Sequence, residues 1–302
     1  MANEVVETVE KEEDSNVSPS GLRIFWTEIV RDKLALGSLI LFVLITLTVF
    51  IGSAMLDLKE VTRIDVLSRF EPPSSEHILG TDTGGRDIFG QLIIGTRNSL
   101  LIGILVTVMS GTVGVLFGLT AGYFGGSTDN VLMRILDFFL ILPFLMIVII
   151  FVSLVPKYSI ISFSLIMTAF LWMGIARLVR SKALQERELD YVNASKTLGT
   201  SNFTIMFSHV FPNISSIIIV NMTLALAANI GIESGLSFLG FGFPESTPSL
   251  GTLLSYATNP TTLEKRWWVW VPAAVLILVL MLSVRNIGEA LKRASNAQQR
   301  RG

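Results

Sequence analysis

Six runs without Asp, Glu, Lys or Arg divide the chain, at 34–56, 98–128, 138–156, 158–176, 210–232 and 267–284. Each is 18 residues or longer, and a helix needs about 20 apolar residues to cross a hydrocarbon core. A soluble fold would have to bury six helices that are apolar on every side, with little polar sequence left to cover them. The pattern predicts an all-α polytopic membrane protein with six transmembrane helices.

The polar segments between the runs are as informative as the runs. The first 20 residues are acidic and lack an apolar signal core, which predicts a disordered tail rather than a signal peptide. The segment from Arg177 to Leu198 has no Gly or Pro, and Leu178, Leu184, Leu189, Val192 and Leu198 recur at roughly helical spacing, predicting one amphipathic helix. Gly199 stops it, Ser201 or Asn202 can cap a second helix, and Phe203, Phe207 and Phe211 lead to Pro212 at the membrane entry. The product is a polar helical hairpin between two spans. Its apolar side either lies flat on the membrane or docks in a groove on another protein.

Within the second run, Gly114, Gly118, Gly122 and Gly126 fall four apart, a stripe of small residues that lets a second helix approach closely in lipid. A merely flexible span end suits Gly125 and Gly126. Between the last two spans, SGLSFLGFGFPESTPSLGTLLSYATNP is too short in its apolar part to cross, which predicts an interfacial or re-entrant segment. Asn221, Asn229 and Glu233 are polar groups in or beside the fifth span and candidates for a translocation path; Glu233, near the outer end, can also simply meet water. Arg86 and Asp87, just before the second span, suit interfacial anchoring with a local ion pair, or contact with another protein. Arg134 and Asp137 are spaced to pair with each other.

Composition excludes more than it assigns. Hydrophobic residues make up 51% and charged residues 16%, against about a quarter charged in soluble domains. There is no cysteine, and His77 and His209 are far apart, so neither a disulfide nor a local metal motif is expected. The spans hold no nucleophile–base or metal constellation, and no Gly-x-x-x-x-Gly-Lys-Ser/Thr sequence is present to cradle a nucleotide. No catalytic residue, bound cofactor, metal or nucleic-acid partner is expected. If the N-terminus is inside, fifteen of the 23 Lys and Arg residues fall on the inner side, which predicts cytoplasmic termini and a cytoplasmic hairpin.

The hairpin residues NASKTLGTSNFTIMFSHVFP also resemble the cytoplasmic EAA loop of binding-protein-dependent ABC importer permeases. Aligned on Gly199, the chain offers Asn193, Ala194, Ser195, His209, Phe211 and Pro212, departing from that pattern at Asn193, Ser195, His209 and Phe211. The ending His209–Asn213 is similar to the peptide branch. Three further segments resemble that branch in the same order: LGTDTGGRDIFGQLIIGTRNSLLIG, AGYFGGSTDNVLMRILDFFLILP and IESGLSFLGFGFPESTPSLGTLL. The chain thus looks like a C-type permease subunit of a dipeptide/oligopeptide importer, from about residue 20 to 295.

That resemblance implies a tail at 1–33, an extra N-terminal span at 34–56, an extracellular loop at 57–96, a type I importer core with five helices at 97–289 and a tail at 290–302. It implies a coupling hairpin at 177–212, with Asp190, Tyr191, Asn193, Ala194, Ser195, Lys196, Gly199, His209 and Pro212 at the ATPase. The implied partners are a second, B-type permease, one or two cytoplasmic P-loop ATPases holding ATP and magnesium, an external binding protein and membrane lipid. The cargo is peptide; a nickel-type importer of the same architecture and an ATP-independent carrier are the rivals.

Overall fold

The computed structural model describes residues 21–154, 159–244 and 246–299, and the acidic tail expected at 1–20 lies outside the described residues. In chain order the principal helices are α1 Gly21–Arg31, α2 Lys33–Met55, α3 Leu58–Val61, α4 Ile88–Phe124, α5 Gly126–Ile141, α6 Phe144–Leu154, α7 Ile160–Leu171, α8 Met173–Glu186, α9 Asp190–Thr197, α10 Asn202–Phe238, α11 Leu250–Ser255, α12 Pro260–Lys265 and α13 Trp267–Gln299. Four of these, α2, α4, α10 and α13, are each long and apolar enough to cross a membrane. Two bent pairs, α5 with α6 and α7 with α8, raise the crossings to six if each pair is one span.

The third and fourth of these spans are bent. The α5–α6 pair turns by 75° at Leu142, whose backbone is extended (φ −71°, ψ 132°) ahead of Pro143. Proline disfavours helical backbone in the residue before it, and that ends α5. The α7–α8 pair turns by 46° at Trp172, which is wedged against Phe117 and Phe139.

The central element is α4. Its 37 residues give a length of about 55 Å against a hydrocarbon core of about 30 Å, so its ends protrude. It packs on α8, α10, α7 and α2. It also starts well before the charge-free run, because Asp87 caps it by accepting from the Gly90 N–H at 2.7 Å. Arg86 pairs not with Asp87 but with Asp82 (2.8 Å), and both are buried. The Asp82 carboxylate also accepts from Gln91 and Tyr256. Arg134 and Asp137 do not pair either: Asp137 accepts from Arg177 on α8 at 2.6 Å.

The segment after α10 folds back, placing α11 against α4, α10 and α13. Glu233 lies beneath it, wholly buried rather than meeting water. Ser99 and Ser237 donate to its carboxylate at 2.8 and 2.9 Å, and the Leu250 N–H donates to Ser99 Oγ in turn. At the chain ends two assigned tails are helical: α1 covers 21–31, and α13 continues unbroken to Gln299.

Candidate functional site

The polar hairpin is built on α4. Along it Gly114, Gly118 and Gly122 face the backbone of α8: a Cβ there would lie 2.7, 2.5 and 2.6 Å from the carbonyl oxygens of Trp172, Ala176 and Arg180. Real Cβ atoms do not approach that closely, so the two helices touch main chain to main chain and the stripe's partner is a helix of this same chain. Gly126, fourth in the stripe, meets nothing within 4 Å. Arg180 then clamps Asp129 of α5 through two hydrogen bonds of 2.5 Å. The Arg187 guanidinium sits at the C-terminal carbonyls of α4, those of Gly122 and Tyr123, where the helix dipole favours a cation. Gly125 makes room for it, since a Cβ there would fall 1.9 Å from the guanidinium.

The single helix expected from Arg177 to Leu198 is broken. α8 ends at Glu186, Leu189 is extended (φ −73°, ψ 151°), and α9 leaves in a new direction. Packing overrides helix propensity here. Turning α9 puts Val192 fully inside a cluster with Tyr123, Val179, Ile205, Met206 and Val210, while Leu189 and Leu198 point outward. The face of α8 that enters the core carries Ile175, Ala176, Val179 and Ala183 rather than Leu178 and Leu184.

Gly199 has φ +79°, the left-handed region, with open space where a Cβ would stand. The N–H of Thr200 reaches back to Ser195 O and that of Gly199 to Lys196 O, closing a Schellman cap. Ser201 caps α10 by accepting from Thr204 N–H at 3.2 Å. α10 then passes Pro212 without breaking. Met206–Val210 widens into a π turn, with the Phe211 N–H bonded to Met206 O, which accommodates the missing proline donor.

Among the residues singled out by sequence, Asp190, Asn193, Ala194, Lys196, Gly199 and Pro212 are exposed; Tyr191, Ser195 and His209 are half-buried. Tyr191 is the joint of the hairpin. Its hydroxyl donates to Glu186 at 2.6 Å and accepts from Asn213 Nδ2 at 2.8 Å, and its ring meets His209 edge-on. Burial, seconded by the Glu186 bond, pushes the phenol up to about 12. Ser195 donates to Tyr191 O, Asn193 donates to Glu188 O, and Lys196 lies 5.7 Å over the Tyr123 ring. Tyr123 in turn donates to Asn202, joining the ends of α4 and α10.

The tip also presents apolar residues outward: Leu198, from the stripe expected to meet membrane or partner, is 85% exposed and Phe203 67%. Phe203 is held edge-on against Phe124 at 6.5 Å. Burying both would contribute about 1.5–3 kcal/mol each. Leu198 was visible in the sequence as part of a helical stripe, and only the break at 187–189 separates it from the core side.

The three polar residues of the fifth span are not gathered on one open surface. Asn221 donates to Ile217 O of its own helix and borders a crevice of about 110 Å³ beside Lys292 and Asn296. Asn229 donates to Thr107 of α4, and Glu233 is held as described. A groove of about 310 Å³ does lie between α4 and α10, lined by Ile104, Thr107, Val108, Ile219, Met222, Thr223 and Leu226. Asn229 touches it through Thr107.

Residues 114–296 match the protein family described as binding-protein-dependent transport system inner membrane component. Among similar proteins, the oligopeptide transport system permease protein OppC of Lactococcus lactis is 45% identical over 273 residues, covering 90% of this chain and 93% of that protein. The dipeptide transport system permease protein DppC of Bacillus subtilis is 35% identical, covering 91% and 85%. The oligopeptide transport system permease protein AmiD of Streptococcus pneumoniae is 35% identical, covering 88% and 85%.

Proposed function

The chain belongs to the binding-protein-dependent transport system inner membrane component family, and from that premise we propose that it forms half of a path for peptides across the membrane, driven by ATP hydrolysed on other subunits. Its relatives across nearly their whole length are oligopeptide and dipeptide permeases. It is a multi-pass membrane component of an ABC transporter, and its sequence holds no P-loop of its own. ATP and magnesium therefore sit on one or two partner ATPases. A B-type permease completes the path, an external binding protein delivers the peptide, and both termini face the cytoplasm.

The observation that carries the coupling role is the hairpin tip. Leu198 and Phe203 are exposed apolar side chains at the end of a mount held by the Val192 cluster and the Tyr191 hydrogen bonds. Such a knob is built to enter a groove in a partner. Closure of two ATPases around ATP would move it, and the Gly114–Gly118–Gly122 contact would carry that motion from α8 into α4 without slack. The groove between α4 and α10 then becomes part of the path, with the second permease supplying its other wall.

The test is purification of the tagged chain from its native membrane in mild detergent, with mass spectrometry of what accompanies it and peptide uptake after reconstitution. A second permease, P-loop ATPases and ATP-dependent uptake are expected. Isolation of this chain alone, conducting solute without ATP, would contradict the proposal.

A further inference from the structure

Helix α1 has three sectors. Phe25 and Ile29 are buried in the molecule, against Ile287, Ala290, Leu291 and Ala294 of α13 and Val220 of α10. Trp26 and Val30, one turn apart, are 59% and 46% exposed on the adjoining sector. Glu28 and Arg31 occupy the third. The apolar sectors together exceed what packing on the bundle uses.

The exposed sector has a definite neighbour. Past the break at Asp32, Leu34 is also exposed, in the first turn of α2. From there Ile40, Leu41, Leu44 and Leu47 carry an exposed apolar surface up a helix that spans the membrane. The Trp26–Val30 face thus ends, across the break at Asp32, at the foot of α2, whose own apolar side is uncovered.

Depth agrees. α13 begins at Trp267, and Ile287 lies 20 residues along it, about 30 Å at 1.5 Å per residue, the thickness of the hydrocarbon core. α1 thus crosses α13 where the core gives way to headgroups. Tryptophan is favoured at that level, with its ring in the apolar boundary and its N–H toward water. Charge agrees too. Arg31, Lys33, Arg285 and Lys292 are exposed at this end, against partly exposed Glu28 and Glu289, while Asp32 and Arg293 pair with each other.

We propose that α1 is an interfacial helix that seats on acidic phospholipid, with Trp26 and Val30 among the upper acyl carbons and Arg31 and Lys33 among the phosphates. The inference rests on the membrane placement of α2 and α13 and is independent of the hairpin's coupling role. By bridging lipid to α13 and α10, α1 makes the bundle's inner end sensitive to the charge of the leaflet around it.

Because the chain has no cysteine, a nitroxide on Val30→Cys reports this site alone. The labelled full chain, in its complex, is placed in nanodiscs of phosphatidylcholine with and without a third of phosphatidylglycerol. Relaxation by oxygen and by a neutral water-soluble nickel chelate is compared with labels at Leu44→Cys, a lipid-facing reference, and Leu67→Cys, a wet one. The expected oxygen-to-chelate ratio at position 30 is at least threefold that at position 67. Phosphatidylglycerol should lower chelate access at least twofold, and Arg31→Gln with Lys33→Gln should remove that response. A ratio equal to that at position 67 means open water and overturns the proposal. Shielding from both relaxers means a protein covers the face and overturns it equally. Indifference to phosphatidylglycerol overturns the acidic-lipid assignment.

Discussion

At the scale of single residues, the hairpin separates side chains that hold the fold from side chains that face outward. Leu198 is almost fully exposed, and surface substitutions away from packed features change stability by about 0.5 kcal/mol or less. Leu198→Ser should leave the melting temperature within a degree or two. If the tip docks in a groove, it should nevertheless weaken ATPase association about tenfold or more, read by co-purification and by uptake, since a docked anchor side chain contributes about 2 kcal/mol. Tyr191→Phe removes the hydroxyl between Glu186 and Asn213 and should cost about 1 kcal/mol of stability. The same residue fixes a pH dependence. The folded phenol is raised from 10.0 to about 12, so its contribution is fully present below pH 10 and is lost as pH rises toward 12, where the unfolded chain releases a proton that the folded hairpin keeps. Tyrosinate absorbance near 295 nm should show a step near 12 that Tyr191→Phe removes, leaving the late rise of Tyr123, which burial also pushes up.

At the scale of elements, the α4–α8 contact decides how motion reaches the bundle. A methyl group on Gly118 would meet Ala176 O at 2.5 Å and Val179 Cβ at 2.8 Å. Gly118→Ala should therefore destabilise by about 1–3 kcal/mol, seen as a lower melting temperature. Gly174, on α8 with nothing within 4 Å, is the control: Ala there should be neutral or stabilising by up to about 1 kcal/mol, from helix propensity alone. Equal effects at both positions would mean the stripe is not the contact. The spacing of Gly114, Gly118 and Gly122 was legible in the sequence as a stripe for close helix contact, but not that its partner is α8 of the same chain. The break between α8 and α9 was not legible. Nothing in 186–190 stops a helix by propensity, and the turn is imposed by Val192 entering a cluster drawn from α4 and α10. Helix α1 escaped notice for a related reason: its apolar side is shared between protein and lipid, so no single stripe stands out at Phe25–Ile29.

At the scale of the whole molecule, charge-free runs and their lengths gave the number of crossings when each bent pair counts as one. They missed the bends, because hydropathy does not register Leu142–Pro143 as a corner. Long-range polar pairs were equally hidden. Arg86 chooses Asp82 over its neighbour Asp87, and Glu233 is enclosed by Ser99 and Ser237 from two helices; such choices depend on how the loop at 57–87 and α11 fold over α4. The Asp82–Arg86 pair should be a keystone of that cap. Losing one partner of a buried, hydrogen-bonded pair costs about 3–5 kcal/mol, so Asp82→Asn should release the loop at 57–87, detected as faster hydrogen exchange there while α8 and α9 keep their protection.

In the proposed function the hairpin tip docks on a separate ATP-hydrolysing subunit. The absence of native cysteine allows one direct test: Leu198→Cys, carrying a short photoactivated cross-linker, irradiated in native membranes with and without ATP. A single adduct is expected, of this chain joined to a P-loop ATPase, with a yield that changes when ATP binds. Uptake at the wild-type rate with adducts only to lipid, or with none in either state, would contradict it.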